Sequence, residues 1–233
     1  MTGRIGYDVK KYLHLAGVLT IACGLAAHAA EPSADPDPAR FASEIQAFES
    51  WDSQNAFPHD AILFVGSSSF RMWPTAESFP DLPVINRGFG GAHISDVNHY
   101  VDRVVLKYRP CVVVFYAGDN DVADGKTPER VLTDFKQFVA TVHQQLPDTR
   151  IIYLPIKPSL SRWGKWPQMR EANALVERLA KNDERLTYVD TATPMLGPEG
   201  RPRSELFLSD GLHMNAAGYQ LWSDMLHDRL KSQ

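Results

Sequence analysis

The stretch Ala61-Ile62-Leu63-Phe64-Val65-Gly66-Ser67-Ser68-Ser69 runs from unbroken apolar residues into a glycine and a cluster of serines. Apolar residues in succession suit a strand covered on both faces, and the glycine that follows suits a sharp exit from it. Four further runs have the same character: Pro83–Asn86, Cys111–Ala117, Arg150–Ile156 and Leu186–Asp190. Between them the apolar spacing changes to a period near 3.6. Val131, Leu132, Phe135, Phe138, Val139, Val142 and Leu146 form the clearest case, opened by Thr127-Pro128 and closed by Pro147. Similar segments cover Ile94–Tyr108, Lys165–Asn182 and Ala216–Leu230, and Phe41, Ile45 and Phe48 predict a short helix ahead of the first strand. Alternating strands and helices imply right-handed crossovers. The expected fold is therefore α/β, a three-layer α/β/α sandwich around a flavodoxin-like, doubly wound parallel sheet of about five strands.

The 233 residues read as one domain behind an N-terminal extension. The hydrophobic content of 44% supplies a full core, and a net charge of −4 without a basic run argues against nucleic acid as a partner. Arg4, Lys10 and Lys11 precede an apolar stretch, Leu13–Ala27, and Ala27-His28-Ala29 places small residues where a signal peptidase reads. This predicts a signal peptide over 1–29, cleavage before Ala30, and a secreted or periplasmic protein. The stretch is broken by Gly17 and Gly24 and falls short of the roughly 20 apolar residues of a spanning helix, so no stable membrane insertion is expected after cleavage. Lipid anchoring through Cys23 is the alternative, with Thr20 where an aliphatic residue is wanted. Residues 30–55 read as a lead-in, flexible through Pro38, followed by the helix; 56–233 form the main domain. Cys111 lies in an apolar run and reads as a small buried hydrophobe.

Ligands of such sheets bind beyond the carboxyl ends of the strands. After the first strand, Gly66-Ser67-Ser68-Ser69 could present a serine hydroxyl, though a plain turn or a phosphate cradle fits equally. After the second, Gly88-Phe89-Gly90-Gly91 lets backbone approach a ligand, or is simply a loop. After the third, Gly118-Asp119-Asn120-Asp121 could offer an amide donor to an oxyanion or form a hydrogen-bonded turn. A calcium loop through Asp119, Asp121 and Asp124 fails in register, because Ala123 takes the fifth position and Asp124 the one that needs glycine. No metal and no cofactor is expected. Ahead of the last helix, Asp210-Gly211-Leu212-His213 lets one loop hold a carboxylate beside an imidazole, with Asn215 placed to cap the helix.

These blocks, in this order from Ala61 to Tyr219, resemble the SGNH (GDSL-type) hydrolases. The resemblance implies Ser68 as nucleophile, Asp210 and His213 as acid and base, and an oxyanion hole from the amides of Ser68 and Gly91 with the side chain of Asn120. One position departs from the pattern: Ser67 stands where the family commonly has Asp. The implied activity is that of a serine esterase acting on short acyl or acetyl esters through an acyl-enzyme. The alternatives are a carbohydrate O-acetylesterase, a lysophospholipase or thioesterase, and a non-catalytic module that keeps the fold. The expected partner is a small-molecule or carbohydrate ester; oligomeric state is not written in the sequence. The loop Lys157-Pro158-Ser159-Leu160-Ser161-Arg162-Trp163 follows the fourth strand, so Lys157, Arg162 and Trp163 are expected at the substrate, or else belong to a solvated loop.

Overall fold

The computed structural model describes residues 1–3 and 34–231. The segment read as a signal peptide, with its cleavage site and Cys23, lies outside them. The chain divides into Met1–Glu31 and Pro32–Gln233, and all described secondary structure belongs to the second unit.

That unit begins with a short 3-10 turn, Pro38–Phe41, capped by the Asp37 carboxylate on the amide of Ala39, and continues as α1, Ala42–Asp52. There follow β1 (Ile62–Gly66), α2 (Ser68–Arg71), α3 (Thr75–Ser78), β2 (Val84–Gly88), α4 (Ile94–His99), α5 (Val101–Val104), β3 (Val112–Tyr116) and α6 (Asp119–Ala123). The chain closes with α7 (Pro128–Gln145), β4 (Arg150–Tyr153), α8 (Trp166–Ala180), β5 (Leu186–Tyr188) and α9 (Ala216–Lys231). The strands are all parallel in the order β2-β1-β3-β4-β5, with Ile62 opposite Val84 and Val112. The doubly wound parallel sheet is the one the alternating pattern implies.

Alternate residues of each strand feed different layers. Leu63, Val65, Val113, Phe115 and Ile151 join Ile45 of α1, Val97 of α4, Phe135 and Phe138 of α7, and Val176 of α8. Ile62, Phe64, Val114 and Ile152 meet Phe70 of α2, Phe79 and, from α9, Trp222 and Leu226. The two clusters are the two interfaces of a three-layer sandwich. Successive strands are laid down on opposite sides of β1, so the order reverses between β1 and β3. In sheets of this kind ligands bind at the carboxyl ends beside such a reversal.

Three expectations change. Ile94–Tyr108 is not one helix: α4 and α5 are separate, and a 3-10 turn, Leu106–Tyr108, ends at Arg109 with φ +47°. The breaks fall at Tyr100 (φ −100°, ψ 10°) and Val105 (φ −130°, ψ −65°), whose backbones leave helical geometry. The fourth strand pairs only to Tyr153, since Pro155 has no N–H to continue the ladder. The lead-in is held from Asp35 onward. Asp35 pairs with Lys126 at 2.8 Å and Arg130 at 2.6 Å, and Arg40 pairs with Asp96 at 2.5 Å. Among the described residues no helix is long and apolar enough to cross a membrane.

Candidate active site

Gly66 makes the turn out of β1. Its φ is +147°, and a Cβ there would lie 1.8 Å from the Tyr116 carbonyl oxygen, so only glycine fits. The same carbonyl accepts from Ser67 N at 2.9 Å, which ties the turn to β3. The turn sorts the serines. Ser67 and Ser69 are buried, and Ser69 Oγ lies 3.2 Å from Lys157 Nζ while its carbonyl accepts from the Tyr219 hydroxyl at 2.9 Å. Ser68, at the first position of α2, is half-buried with its Oγ 3.1 Å from His213 Nε2.

His213 arrives from a loop that its own hydrogen bonds hold shut. Leu208 N donates to the His213 carbonyl at 2.8 Å, and Asn215 Oδ1 caps α9 through the amides of Ala217 and Gly218. Asp210 Oδ2 lies 2.6 Å from His213 Nδ1, while Asp210 Oδ1 accepts from the amides of Leu212 and His213 at 2.9 Å each. The bond to His213 and these two amides pull the Asp210 carboxyl down to about 2. It is ionised at neutral pH.

Gly91 lies on the loop between β2 and α4, exposed, with φ +73°, and a Cβ on it would meet nothing within 4 Å. Asn120 is the second residue of α6, and its Nδ2 donates to the Ala92 carbonyl at 3.0 Å, joining α6 to the Gly91 loop. Among the described residues, the amides of Ser68 and Gly91 and the second N–H of the Asn120 side chain have no acceptor. Asp119, Asp121 and Asp124 diverge: Asp119 meets Lys157 and Arg162, Asp121 meets Lys126, and Asp124 meets His93. No group of acidic, His or Cys side chains among the described residues is placed to hold a metal ion.

Residues 66–221 match the GDSL-like lipase/acylhydrolase family, from the glycine of the β1 turn into α9. The chain belongs to this family. No curated protein is matched by the sequence. Solved structures share the fold. A Streptococcus pneumonia protein provisionally described as a platelet activating factor is 22% identical, with TM-score 0.74 over 82% of this chain and 94% of that one. A GDSL-like lipase from Bacteroides thetaiotaomicron is 20% identical, with TM-score 0.69 over 84% and 97%. An acetylxylan esterase from Geobacillus stearothermophilus is 15% identical, with TM-score 0.60 over 76% and 97%.

In this member of the family the loop after β4 is not the solvated edge that its cations suggest. Lys157 is 1% exposed and turned inward, where Nζ meets Asp119 Oδ2 at 3.0 Å and the Tyr116 hydroxyl at 3.1 Å. This corrects its expected place at the substrate. Burial alone would lower the Lys157 ammonium, but Asp119 outweighs it and holds the ammonium above its usual range. Arg162 is half-buried, with Nη1 2.6 Å from Asp119 Oδ1 and Nη2 3.0 Å from Asn120 Oδ1. Trp163 stacks on Trp166 with centroids 6.0 Å apart, and the Arg201 guanidinium lies 5.1 Å from its centroid. Ser161 N donates to the Gly211 carbonyl at 3.0 Å, so this loop borders the one that carries His213. The sequence hint for Lys157 was its place at the end of Leu154-Pro155-Ile156, an apolar run that carries the chain inward; Asp119, as its partner, had no separate signal.

Proposed function

We propose that this chain is an exported serine esterase that cleaves short acyl or acetyl carboxylic esters through an acyl-enzyme. The observation that carries the reading is the unbroken chain Asp210–His213–Ser68, at 2.6 and 3.1 Å. His213 Nε2 takes the Ser68 proton as Oγ bonds to the ester carbonyl carbon, whose π electrons move onto oxygen. That oxyanion accepts from the amides of Ser68 and Gly91 and from Asn120 Nδ2. The carbonyl re-forms, the alkoxide leaves with the proton held on His213, and water repeats the sequence to release the acid and restore Ser68. Asp210 keeps the imidazole in the tautomer that leaves Nε2 open to accept.

Turnover of p-nitrophenyl acetate tests the roles. Ser68→Ala is expected to leave only background hydrolysis, and Asn120→Ala to lose about 10²–10³ in kcat. A fluorophosphonate probe should label the protein and fail on Ser68→Ala. Unimpaired turnover in Ser68→Ala would sink the reading, and absence of labelling would favour a non-catalytic module.

A carbohydrate O-acetylester as natural substrate is supported by Trp163, which follows by two residues the Ser161 amide bonded to the Gly211 carbonyl of the His213 loop, and by the acetylxylan esterases of the same fold. A preference for long-chain acyl esters over acetylated oligosaccharides would overturn it. Export is supported by the charged start, the apolar run to Ala27 and the Ala27-His28-Ala29 site. A product that retains its first 29 residues in an exporting host would refute it.

A further inference from the structure

We propose that Arg162 is a positioning residue for the oxyanion donor: it fixes the side-chain amide of Asn120 so that N–H, not C=O, faces the reacting carbonyl. The inference rests on the serine-esterase reading, in which Asn120 is one of the donors.

An asparagine amide can rotate by half a turn at little cost, exchanging a donor for an acceptor. Facing a developing oxyanion, the wrong face would repel it. Two contacts select the face here. Asn120 Nδ2 donates to the Ala92 carbonyl at 3.0 Å, and Asn120 Oδ1 accepts from Arg162 Nη2 at 3.0 Å. Rotated, the amide would set oxygen against the Ala92 carbonyl and NH₂ against a guanidinium, so both contacts would become repulsive. Of the two, only the Arg162 contact is charged, and charge-assisted bonds are the stronger kind.

Arg162 is itself aimed by what lies behind it. Its other arm, Nη1, is 2.6 Å from Asp119 Oδ1, so the planar fork spans two consecutive residues of α6. Asp119 is nearly fully buried and already neutralised through its other oxygen, by Lys157 Nζ at 3.0 Å. One carboxylate thus faces two cations, and the surplus positive charge sits on the carbonyl side of the Asn120 amide. A cation there polarises the amide and strengthens its N–H as a donor at the moment negative charge appears. Burial of Lys157 serves the same end, since it holds Asp119 in place without competing for Asn120.

The test is a double-mutant cycle on p-nitrophenyl acetate. Arg162→Ala is expected to lower kcat about 10- to 100-fold with KM within about twofold. In an Asn120→Ala background the same change should cost less than about twofold, because the residue acts through Asn120. Added guanidinium should restore part of the Arg162→Ala turnover and none in the double variant. Arg162→Met keeps the aliphatic packing and leaves Asp119 paired with Lys157, so it serves if Arg162→Ala folds poorly. Losses that multiply in the double variant, or a rise in KM at unchanged kcat, would overturn the proposal and make Arg162 a substrate contact or a merely structural residue. Wild-type kcat in Asn120→Ala alone would instead take down the oxyanion reading, and this inference with it.

Discussion

Asp210 uses its two oxygens for different tasks, and the difference predicts what asparagine would do in its place. Oδ1 accepts from two backbone amides, so an asparagine side chain at this position would have to keep its carbonyl oxygen there. Its NH₂ would then face His213 Nδ1, which must become an acceptor. The imidazole proton would move to Nε2, on the side of Ser68, where it blocks acceptance of the serine proton. Asp210→Asn is therefore expected to fold normally, to bind substrate with little change in KM, and to lose about 10³–10⁴ in kcat. Steady-state kinetics beside a thermal melt separate this from unfolding. An equal loss of Tm and activity would point to a loop that merely collapsed. The pairing of Asp210 with His213 was legible from their spacing in one loop. The division of labour between the oxygens was not, because it depends on where the amides of Leu212 and His213 point.

Among the elements, α1 is the one whose attachment the sequence left open. Helical spacing of Phe41, Ile45 and Phe48 marked it as amphipathic, but the joint that holds it is polar. Asp52, at its last residue, pairs with Arg87 of β2 at 2.5 Å, accepts from the Tyr108 hydroxyl at 2.6 Å and also meets Lys107. The Arg87 guanidinium lies 5.1 Å from the Phe48 ring centroid and 4.9 Å from that of Tyr108. Asp52 and Arg87 side chains are both under 10% exposed, so removing the carboxylate strands a buried cation. Asp52→Ala is expected to cost about 3–5 kcal/mol in denaturant unfolding, far more than loss of a surface pair. A change below about 1 kcal/mol would mean that Arg87 finds water instead. Strands were easier to read than this joint, because a strand covered on both faces announces itself in consecutive residues. An ion pair across 35 positions of chain does not.

For the molecule as a whole, the paired carboxylates set how it meets acid. Burial alone would raise Asp35, Asp52 and Asp119, but their Lys, Arg and Tyr partners outweigh it and hold all three below the usual carboxylate range. Asp121 goes the other way: its burial outweighs Lys126 and His93 and raises it. A carboxyl held low in the folded chain takes up protons later than in the unfolded one. Acid therefore favours unfolding as pH drops through about 4, where unfolded Asp titrates. Asp121 opposes this but is outnumbered. Thermal melts should give a Tm that is nearly level from about pH 7 to 5 and falls below about 4. A Tm that holds steady down to pH 3 would show that the pairs contribute little. At this scale the parallel sheet with helices on both faces followed from the alternation of strand and helix, whereas the order β2-β1-β3-β4-β5 is set by which side of β1 each crossover takes. Lys126 and Lys157 were not legible either, for a lysine drawn inside by carboxylates reads in sequence like any other lysine.

Cys111, half-buried rather than the buried hydrophobe its apolar run suggests, sits just ahead of β3, at the end of the strand away from the Ser68 turn. Its thiol donates to the Asp60 carbonyl at 2.8 Å, and burial pushes its pKa up. The strand from Val112 to Tyr116 separates it by about 17 Å from the turn that carries Ser68. In a chain that starts at Ala30 it is the single thiol. A thiol-selective support near neutral pH would take hold of this half-buried side chain, at the sheet end away from Ser68. The fold thereby offers oriented immobilisation without an added tag.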